Sequence, residues 1–446
     1  MGFALLATLG GIAVSEIRRD RAEDARSQPP NVLLIISDDQ RDRTLDVMPQ
    51  TRRHIAERGR TFQRAMVTTP LCCPSRVSIL GGRYAHNHDV RLNSDAPDVD
   101  ESQMLAAELN RAGYFNGLYG KYLNNWPEGR PPAGFDDHVV GYGPAGGFSG
   151  KERGRERADD WLAERSKAFI EGRESDDQRP WFLVLSARSP HNPLKPASRY
   201  KNAKVPKASF GAAFNESDLS DKPAGVRSTA NQTRKRFARR GGFRKVVESV
   251  RKRQLRLQLS LDDMVGTTMR ALDRGGEAED TLVIYVSDNG FFWGEHGFIQ
   301  KGRAYPETLE VPLLVRWPGR VEAGTSDRRV AANIDIAPTI YEATGVKPGY
   351  ALDGHSLLDS QARDWGLVEK WLARGSIRGS FVPGVEQYLE NLTGGGRLKS
   401  REYYDLERDP YGLENLIGTP AEPTERVAEL EQMTAEAADC AGLDCP

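Results

Sequence analysis

Several stretches of this 446-residue chain are apolar runs that end on polar residues. Residues 31–36 read NVLLII and stop at SDDQ. Residues 180–191, PWFLVLSARSPH, and 281–290, TLVIYVSDNG, repeat the pattern, and FNGLYGKYLN at 115–124 is a weaker case. A further strand pattern, VPLLVRWPG at 311–319, is closed by Pro-Gly. Continuous apolar runs of this length suit strands buried on both faces. Helical patterns lie between them, at 50–58 before Gly59 and at 254–272 before Gly275. Strands alternating with helices predict an α/β fold, a large mostly parallel sheet sandwiched by helices. In such sheets ligands bind outside the carboxyl ends of the strands. The polar endings DD, KYLN, SPH and SDNG all occupy that position, so they are expected to face one crevice.

The length exceeds what one core normally supports. Residues 31–360 carry the α/β pattern and predict the catalytic domain. From 361 to 446 the pattern changes, and a smaller C-terminal α+β subdomain is expected. There RLKSREYYDLERDPYGLENL (397–416) suggests a strand, a turn and then a polar helix. A net charge of −1 gives no reason to expect a nucleic-acid partner. No apolar run reaches the roughly 20 residues of a membrane span. Residues 1–30 form a possible signal and linker segment. GFALLATLGGIAV resembles the apolar part of a leader and Ala13-Val14-Ser15 a cleavage site, without the usual basic start. This favours a secreted or periplasmic protein over one with an ordinary N-terminus. Cys440 and Cys445, in DCAGLDCP, suit a disulfide, the alternative being two free thiols on a frayed tail.

Asp38, Asp39, Asp288 and Asn289 stand at two strand ends. Hard oxygen donors without Cys or His suit Ca²⁺, or Mg²⁺, rather than zinc. The other two cysteines are adjacent, in TTPLCCPSR. A bridge between neighbours is strained, because their Cα atoms lie only about 3.8 Å apart. A zinc site would need about four regularly spaced ligands. The pair alone reads as two buried thiols. Its setting adds chemistry. Pro74 suits a first helical turn, residues 75–80 continue it, and Gly81-Gly82 stops it. The cysteines then sit at a helix N-terminus, where free N–H groups and the helix dipole favour an anion. Arg76, Lys121, His191 and Lys301 supply cations and a candidate acid. Considered singly, His191 could be a capping or core histidine and Lys301 a surface lysine.

Residues 222–256 hold Lys222, Arg227, Arg234, Lys235, Arg236, Arg239, Arg240, Arg244, Lys245, Arg251, Lys252, Arg253 and Arg256 against the single acid Glu248. This segment is either a solvated face or a surface for a polyanion.

CCPSRVSILGG (72–82) resembles the sulfatase signature Cys-x-Pro-Ser-Arg followed by Leu-x-Gly. NVLLIISDDQ, GLYGKYLN, SARSPHNP, TLVIYVSDNGFFWGEHG, EVPLLVRWPG, DIAPTIYEATG, LDGHSLL and YYDLERDPYGLENL resemble further patterns of that family in the same order. GGRYAHNHDV and GKYLN are most similar to the branch of glucosamine-6-sulfatases and related heparan sulfatases. The resemblance implies an alkaline-phosphatase-like fold and hydrolysis of sulfate monoesters, with sulfated glycans among the substrates. It implies that Cys72 is converted to Cα-formylglycine by a formylglycine-generating enzyme. Asp38, Asp39, Asp288 and Asn289 would bind Ca²⁺ together with residue 72. Arg76 would support the hydrated aldehyde, and Lys121, His191 and Lys301 would bind sulfate and assist the leaving group. In that scheme one hydroxyl of the hydrated aldehyde attacks sulfur and the alcohol leaves. The second hydroxyl then loses its proton, the C–O bond breaks, and sulfate departs as the aldehyde re-forms. Two departures stand out. Gly81 occupies a position where Thr is common, and Asn124 one where many arylsulfatases have His. His296, in GEHGF, is a further, weaker candidate for a place beside the site. Two other functions stay open: a phosphonate or phosphate ester hydrolase using the same residues, and a sulfated-glycan-binding protein, supported by the basic segment 222–256, in which Cys72 stays unconverted.

Overall fold

The computed structural model describes residues 29–141, 159–174, 179–239, 241–360 and 363–446. The expected signal segment lies outside them except for its last two residues. The strands up to residue 332 are β1 (Asn31–Asp38), β2 (Arg60–Met66), β3 (Phe115–Gly120), β4 (Asp137–Val140), β5 (Trp181–Pro190), β6 (Thr281–Ser287), β7 (Phe292–Trp293), β8 (Ile299–Gln300), β9 (Leu313–Arg316) and β10 (Thr325–Ala332). Eight form one sheet in the order β10-β2-β9-β6-β1-β5-β3-β4, and β7 and β8 form a hairpin. The longer helices are α1 (Pro49–His54), α2 (Cys72–Gly81), α3 (Leu105–Arg111), α4 (Asp159–Glu174), α5 (Ala224–Ala238), α6 (Phe243–Gly275), α7 (Ile336–Thr344) and α8 (Thr424–Ala437).

β1 lies in the middle, parallel to both β5 and β6. Its side chains alternate between two cores because successive strand residues point to opposite faces. Val32, Leu34 and Ile36 join Val77, Leu105, Ile336 and Ile340 from α2, α3 and α7. Leu33 and Ile35 join Leu162 and Phe169 of α4 and Leu261, Met264 and Val265 of α6. Helices thus cover both faces, as the uninterrupted apolar run of β1 requires. The VPLLVRWPG strand, β9, runs antiparallel to both its neighbours, β2 and β6.

Two expected helices differ in extent or place. The one expected at 254–272 begins at Phe243, just after Gly241 and Gly242 at φ +90° and +101°. Its first turns carry an apolar stripe, Phe243, Val246, Val247 and Val250 at helical spacing, with Val247 fully buried. The dense Lys and Arg around the stripe obscured it, although both residues are good helix formers. The polar helix expected within 397–416 is not there. Residues 406–423 are turns and loop, with the Asp409 carboxylate accepting the backbone N–H of Glu414 at 2.9 Å. Pro410 and Gly412 interrupt any helix in that stretch, and α8 starts only at Thr424.

The C-terminal strands β11 (Gly366–Leu372), β12 (Gly375–Val382), β13 (Glu386–Thr393) and β14 (Leu398–Asp405) form an antiparallel meander. Val427 and Leu430 of α8 pack on its Tyr388 and Tyr403. The expected disulfide joins Cys440 and Cys445. The chain end is tied to the segment after α2: the Tyr84 hydroxyl donates to the Pro446 carbonyl at 2.7 Å, and Asn87 Nδ2 to the Cys440 carbonyl at 2.9 Å. Among the described residues no helix is long and apolar enough to cross a membrane.

Candidate active site

The carboxyl ends of β1 and β6 lie side by side and deliver four oxygen-bearing side chains, Asp38, Asp39, Asp288 and Asn289, all at most 3 % exposed. The Asp39 backbone N–H donates to Asp288 Oδ1 at 3.2 Å, and Asn289 Nδ2 to Asp39 Oδ1 at 2.7 Å. Asp39 adopts φ +68°, which turns the chain sharply and keeps the carboxylate at the strand end.

Above them sits the N-terminus of α2, a helix buried along its whole length. Pro74 falls in its first turn, where an N–H has no intrahelical acceptor to lose. Gly82 ends the helix at φ +67°, and a Cβ there would crowd Leu352 and Ala337. Cys72, the first residue, brings its sulfur to 4.0 Å from Asp38 Oδ1. One turn on, Arg76 Nε donates to Asp288 Oδ2 at 2.8 Å, and its Nη1 donates to the Lys121 carbonyl at 2.9 Å and Ser186 Oγ at 2.5 Å. Arg76 therefore braces Asp288, the end of β3 and the middle of β5 against α2.

Lys121 follows Gly120, which sits at φ +110° where a Cβ would strike the Ser186 carbonyl. This tight turn aims Lys121 Nζ at Asp38 Oδ2, 2.6 Å away. Lys301 Nζ approaches from the loop after β8, donating to Cys72 Sγ at 2.9 Å and also to Asp39. His191, just after β5, places Nε2 3.7 Å from Asp39 Oδ2 and keeps about a quarter of its side chain in solvent. The structure thus brings the nine sequence-predicted residues together.

Burial pushes the Asp38 carboxyl up, but His191, Lys121, Lys301 and Arg76 together outweigh it and hold the group well below the usual carboxylate range. Asp288 goes the other way: burial and repulsion from Asp38 raise it despite Arg76, Lys121 and Lys301. Burial alone would lower both lysines, yet Asp38 holds Lys121 above its usual range and Asp39 does so for Lys301. The oxygen set suits a hard divalent cation. Asn289 Oδ1 is buried with no hydrogen-bond partner among the described residues, an orphan acceptor of the kind a cation satisfies. Asp38, Cys72 and Asp288 present ligand atoms within 4.8 Å of one another, as do Asp38, Asp39 and His191.

Other sequence expectations resolve differently. The Asn124 backbone N–H donates to the sulfur of Cys73 at 3.0 Å, so Asn124 serves the neighbouring thiol. His296 lies in a buried cluster of its own, with Nδ1 2.6 Å from Glu216 Oε2 and the ring packed on Tyr305. The basic segment is α5 and the first turns of α6, and part of it is structural. Lys222 is buried, its ammonium bound to Asp221 at 2.7 Å and to the Leu413 carbonyl at 2.6 Å. Arg234, Arg251 and Arg256 bind Asn215, the Pro206 carbonyl and the Ala203 carbonyl. Lys235, Arg236, Arg239, Arg244, Lys245, Lys252 and Arg253 are exposed, and Arg240 lies outside the described residues. Sequence reasoning passed over Lys370, a buried lysine of β11 near residue 72; its only signal is a lysine inside the apolar run GLVEKWL.

The sulfatase family profile matches residues 30–346. The extracellular sulfatase SULF-1 homolog of Drosophila melanogaster is 31% identical over 76% of this chain and 32% of its own length. The N-acetylglucosamine-6-sulfatase of Homo sapiens is 30% identical over 75% of this chain and 64% of its own length. The chain thus spans from about a third to just under two thirds of these relatives. A solved protein in complex with its substrate D-glucosamine-2-N,6-O-disulfate shares the fold with a TM-score of 0.73, at 21% identity over 92% of this chain and 97% of that one. A phosphonate monoester hydrolase from Silicibacter pomeroyi shares it equally, with a TM-score of 0.73 at 20% identity over 91% and 94% of the two chains. A family profile that takes in the metal-type oxygens, the Cys72 helix and all three site cations settles the affiliation: the chain belongs to the sulfatase family.

Proposed function

We propose that this protein is a sulfuric ester hydrolase that cleaves sulfate monoesters of sulfated glycans, N-acetylglucosamine-6-sulfate units among them. The observation that carries the reading is the position of Cys72. It heads a buried helix, faces Asp38, and takes a hydrogen bond from Lys301. Formylglycine made from Cys72 would supply an aldehyde hydrate as nucleophile, and Ca²⁺ (or Mg²⁺) held by Asp38, Asp39, Asp288 and Asn289 would make its hydroxyl more acidic. The chain's own groups do the rest. Lys121 and Lys301 direct ammonium protons at the oxygens of a sulfate placed beside residue 72. His191, with about a quarter of its side chain in solvent, delivers a proton to the departing alcohol. Arg76 positions Asp288 and Lys121 through its Nε and Nη1.

Maturation by a formylglycine-generating enzyme and an extracytoplasmic location complete the proposal. The Cys440–Cys445 disulfide supports the location, since such bonds persist in oxidising compartments. The test has two arms. Intact-mass analysis of protein made alongside a modifying enzyme should show the peptide of residue 72 lighter by one sulfur and two hydrogens and heavier by one oxygen. The same preparation should turn over an aryl sulfate faster than the matching phosphate or phosphonate monoester. Unconverted Cys72, or a preference for phosphorus esters, would overturn the reading.

A further inference from the structure

The three carboxylates of the site are already matched by cations: Arg76 on Asp288, Lys121 on Asp38, Lys301 on Asp39. A fourth cation stands close by with no such match. Lys370 lies on β11 and is only 5 % exposed. Its strand neighbours face the other way: Glu369 holds His86 at 2.8 Å, and the ring of Trp371 lies under Arg91. By strand alternation Lys370 points from the opposite face. That face also carries Gln387, whose Nε2 donates to the Ala304 carbonyl at 3.0 Å, and Glu402, which accepts from the Tyr305 hydroxyl at 2.6 Å. The C-terminal sheet is therefore laid over the loop that begins at Lys301. Among the described residues the Lys370 ammonium has no hydrogen bond and no ion pair, and the side chains near enough to act on it are residue 72 and the two cations Lys301 and Arg303. Burial, reinforced by those two cations, pulls it down to about 8.

The side chain is largely buried while its ammonium is not sealed off, and a cation so placed without a protein acceptor is poorly solvated and open to an anionic ligand. We propose that Lys370 is a further substrate-binding residue of this site, whose ammonium takes a second anionic group carried beside the sulfate to be cleaved. A sulfamate or a second sulfate ester on the same sugar has that chemistry. The scissile sulfate is served by Lys121, His191 and Lys301, so the surplus cation selects for what lies next to it. The proposal rests on the sulfatase reading and narrows its substrate to multiply anionic sugars.

The test compares N-acetylglucosamine 6-sulfate with D-glucosamine-2-N,6-O-disulfate in steady-state kinetics on the mature enzyme. Wild type should prefer the disulfate by about tenfold or more, the value of one hydrogen bond between charged groups. Lys370→Met should raise KM for the disulfate by roughly 10–100-fold, move kcat little, and erase the preference, while Lys370→Arg should keep most of it. Thermal unfolding of Lys370→Met checks the fold, and loss of a buried unpaired charge should leave it at least as stable as wild type. Equal losses on both esters, an unmoved ratio, or a wild type without preference would overturn the proposal while leaving the sulfatase reading intact. A mature wild type that hydrolyses neither these esters nor an aryl sulfate would overturn both.

Discussion

Lys301 Nζ stands 2.9 Å from the sulfur of Cys72, although 229 residues separate them in the chain. On the far side Lys121 reaches Asp38 at 2.6 Å, so the two lysines bracket the start of α2. Cys73, one residue on, points elsewhere. Its backbone N–H donates to Asn93 Oδ1 at 3.0 Å, and burial pushes its thiol up to about 12. The adjacent cysteines therefore have separate fates. Cys72→Ala should abolish turnover of aryl sulfate, and Cys73→Ala should keep it within a few-fold. Lys301→Ala should lower kcat/KM by roughly 10²–10³-fold as a lost oxyanion donor. Steady-state rates of the three variants check this, and equal loss in both cysteine variants would assign the wrong sulfur.

Removing the cation should cost both activity and stability. A ligand present at 100 times its Kd stabilises the native state by about 2.7 kcal/mol. Dialysis against EDTA should therefore lower the melting temperature as well as the rate, and Ca²⁺ should restore both. Asn289→Ala is the discriminating variant. It deletes the orphan oxygen while leaving Arg76 its partner Asp288, so the fold should survive with calcium affinity weakened about tenfold or more. Asp288→Ala would instead strand the buried Arg76 and destabilise by roughly 3–5 kcal/mol. Calorimetric titration of calcium into both variants separates the two effects.

The central strands were legible because β1, β5 and β6 are buried on both faces and so carry uninterrupted apolar runs of five residues. Two endings were legible for the same reason: a serine and then Asp38-Asp39 or Asp288-Asn289 follow directly on the runs of β1 and β6. The antiparallel course of β9 was not, since strand direction leaves no mark on local composition. The start of α6 was obscured because its stripe of Phe243, Val246, Val247 and Val250 is crowded by Lys and Arg, which made the segment read as a charged face. His296 looked like a site residue from its Gly-Glu-His-Gly setting, but its partner Glu216 lies 80 residues earlier in sequence. Lys370 was invisible for a related reason. Only the fold shows that the face of β11 bearing it lies over the Lys301 loop.

Lys370 should leave a signature in alkaline stability. Its folded value of about 8 lies below the usual 10.5 of a lysine, chiefly through burial, with Lys301 and Arg303 adding to it. Between those values the unfolded chain binds more protons than the native one, so stability rises with pH across that window. The difference amounts to about 3 kcal/mol, with the full penalty present below pH 8 or so. Lys370→Met should flatten this rise. Denaturant unfolding of the two proteins at pH 7.5 and 10 measures it, and parallel pH dependence would place the Lys370 ammonium in solvent.

The exposed cations of α5 and α6 should act on polymer rather than on small esters. Arg303 donates from the Lys301 loop to Thr229 Oγ1 on α5 at 2.6 Å, so the basic helices begin beside the site and lead away from it. Arg251 and Arg256 bind the 203–206 segment, which sets Lys201, Lys204 and Lys207, all exposed, next to α6 and extends the basic surface. Arg234 belongs to the fold through Asn215 and should be left in place. Replacing Lys235, Arg236, Arg239, Lys252 and Arg253 with Ser should lower kcat/KM for a heparin-like chain relative to an aryl sulfate, with the change in KM. Each exposed contact is screened over about 8–10 Å at moderate salt, so polymer affinity of the wild type should fall steeply with ionic strength and that of the variant only weakly. Kinetics on both substrates at low and physiological salt decide the matter. If the ratio of the two specificity constants stays fixed, these residues are a solvated face, and the substrate is recognised at the crevice alone.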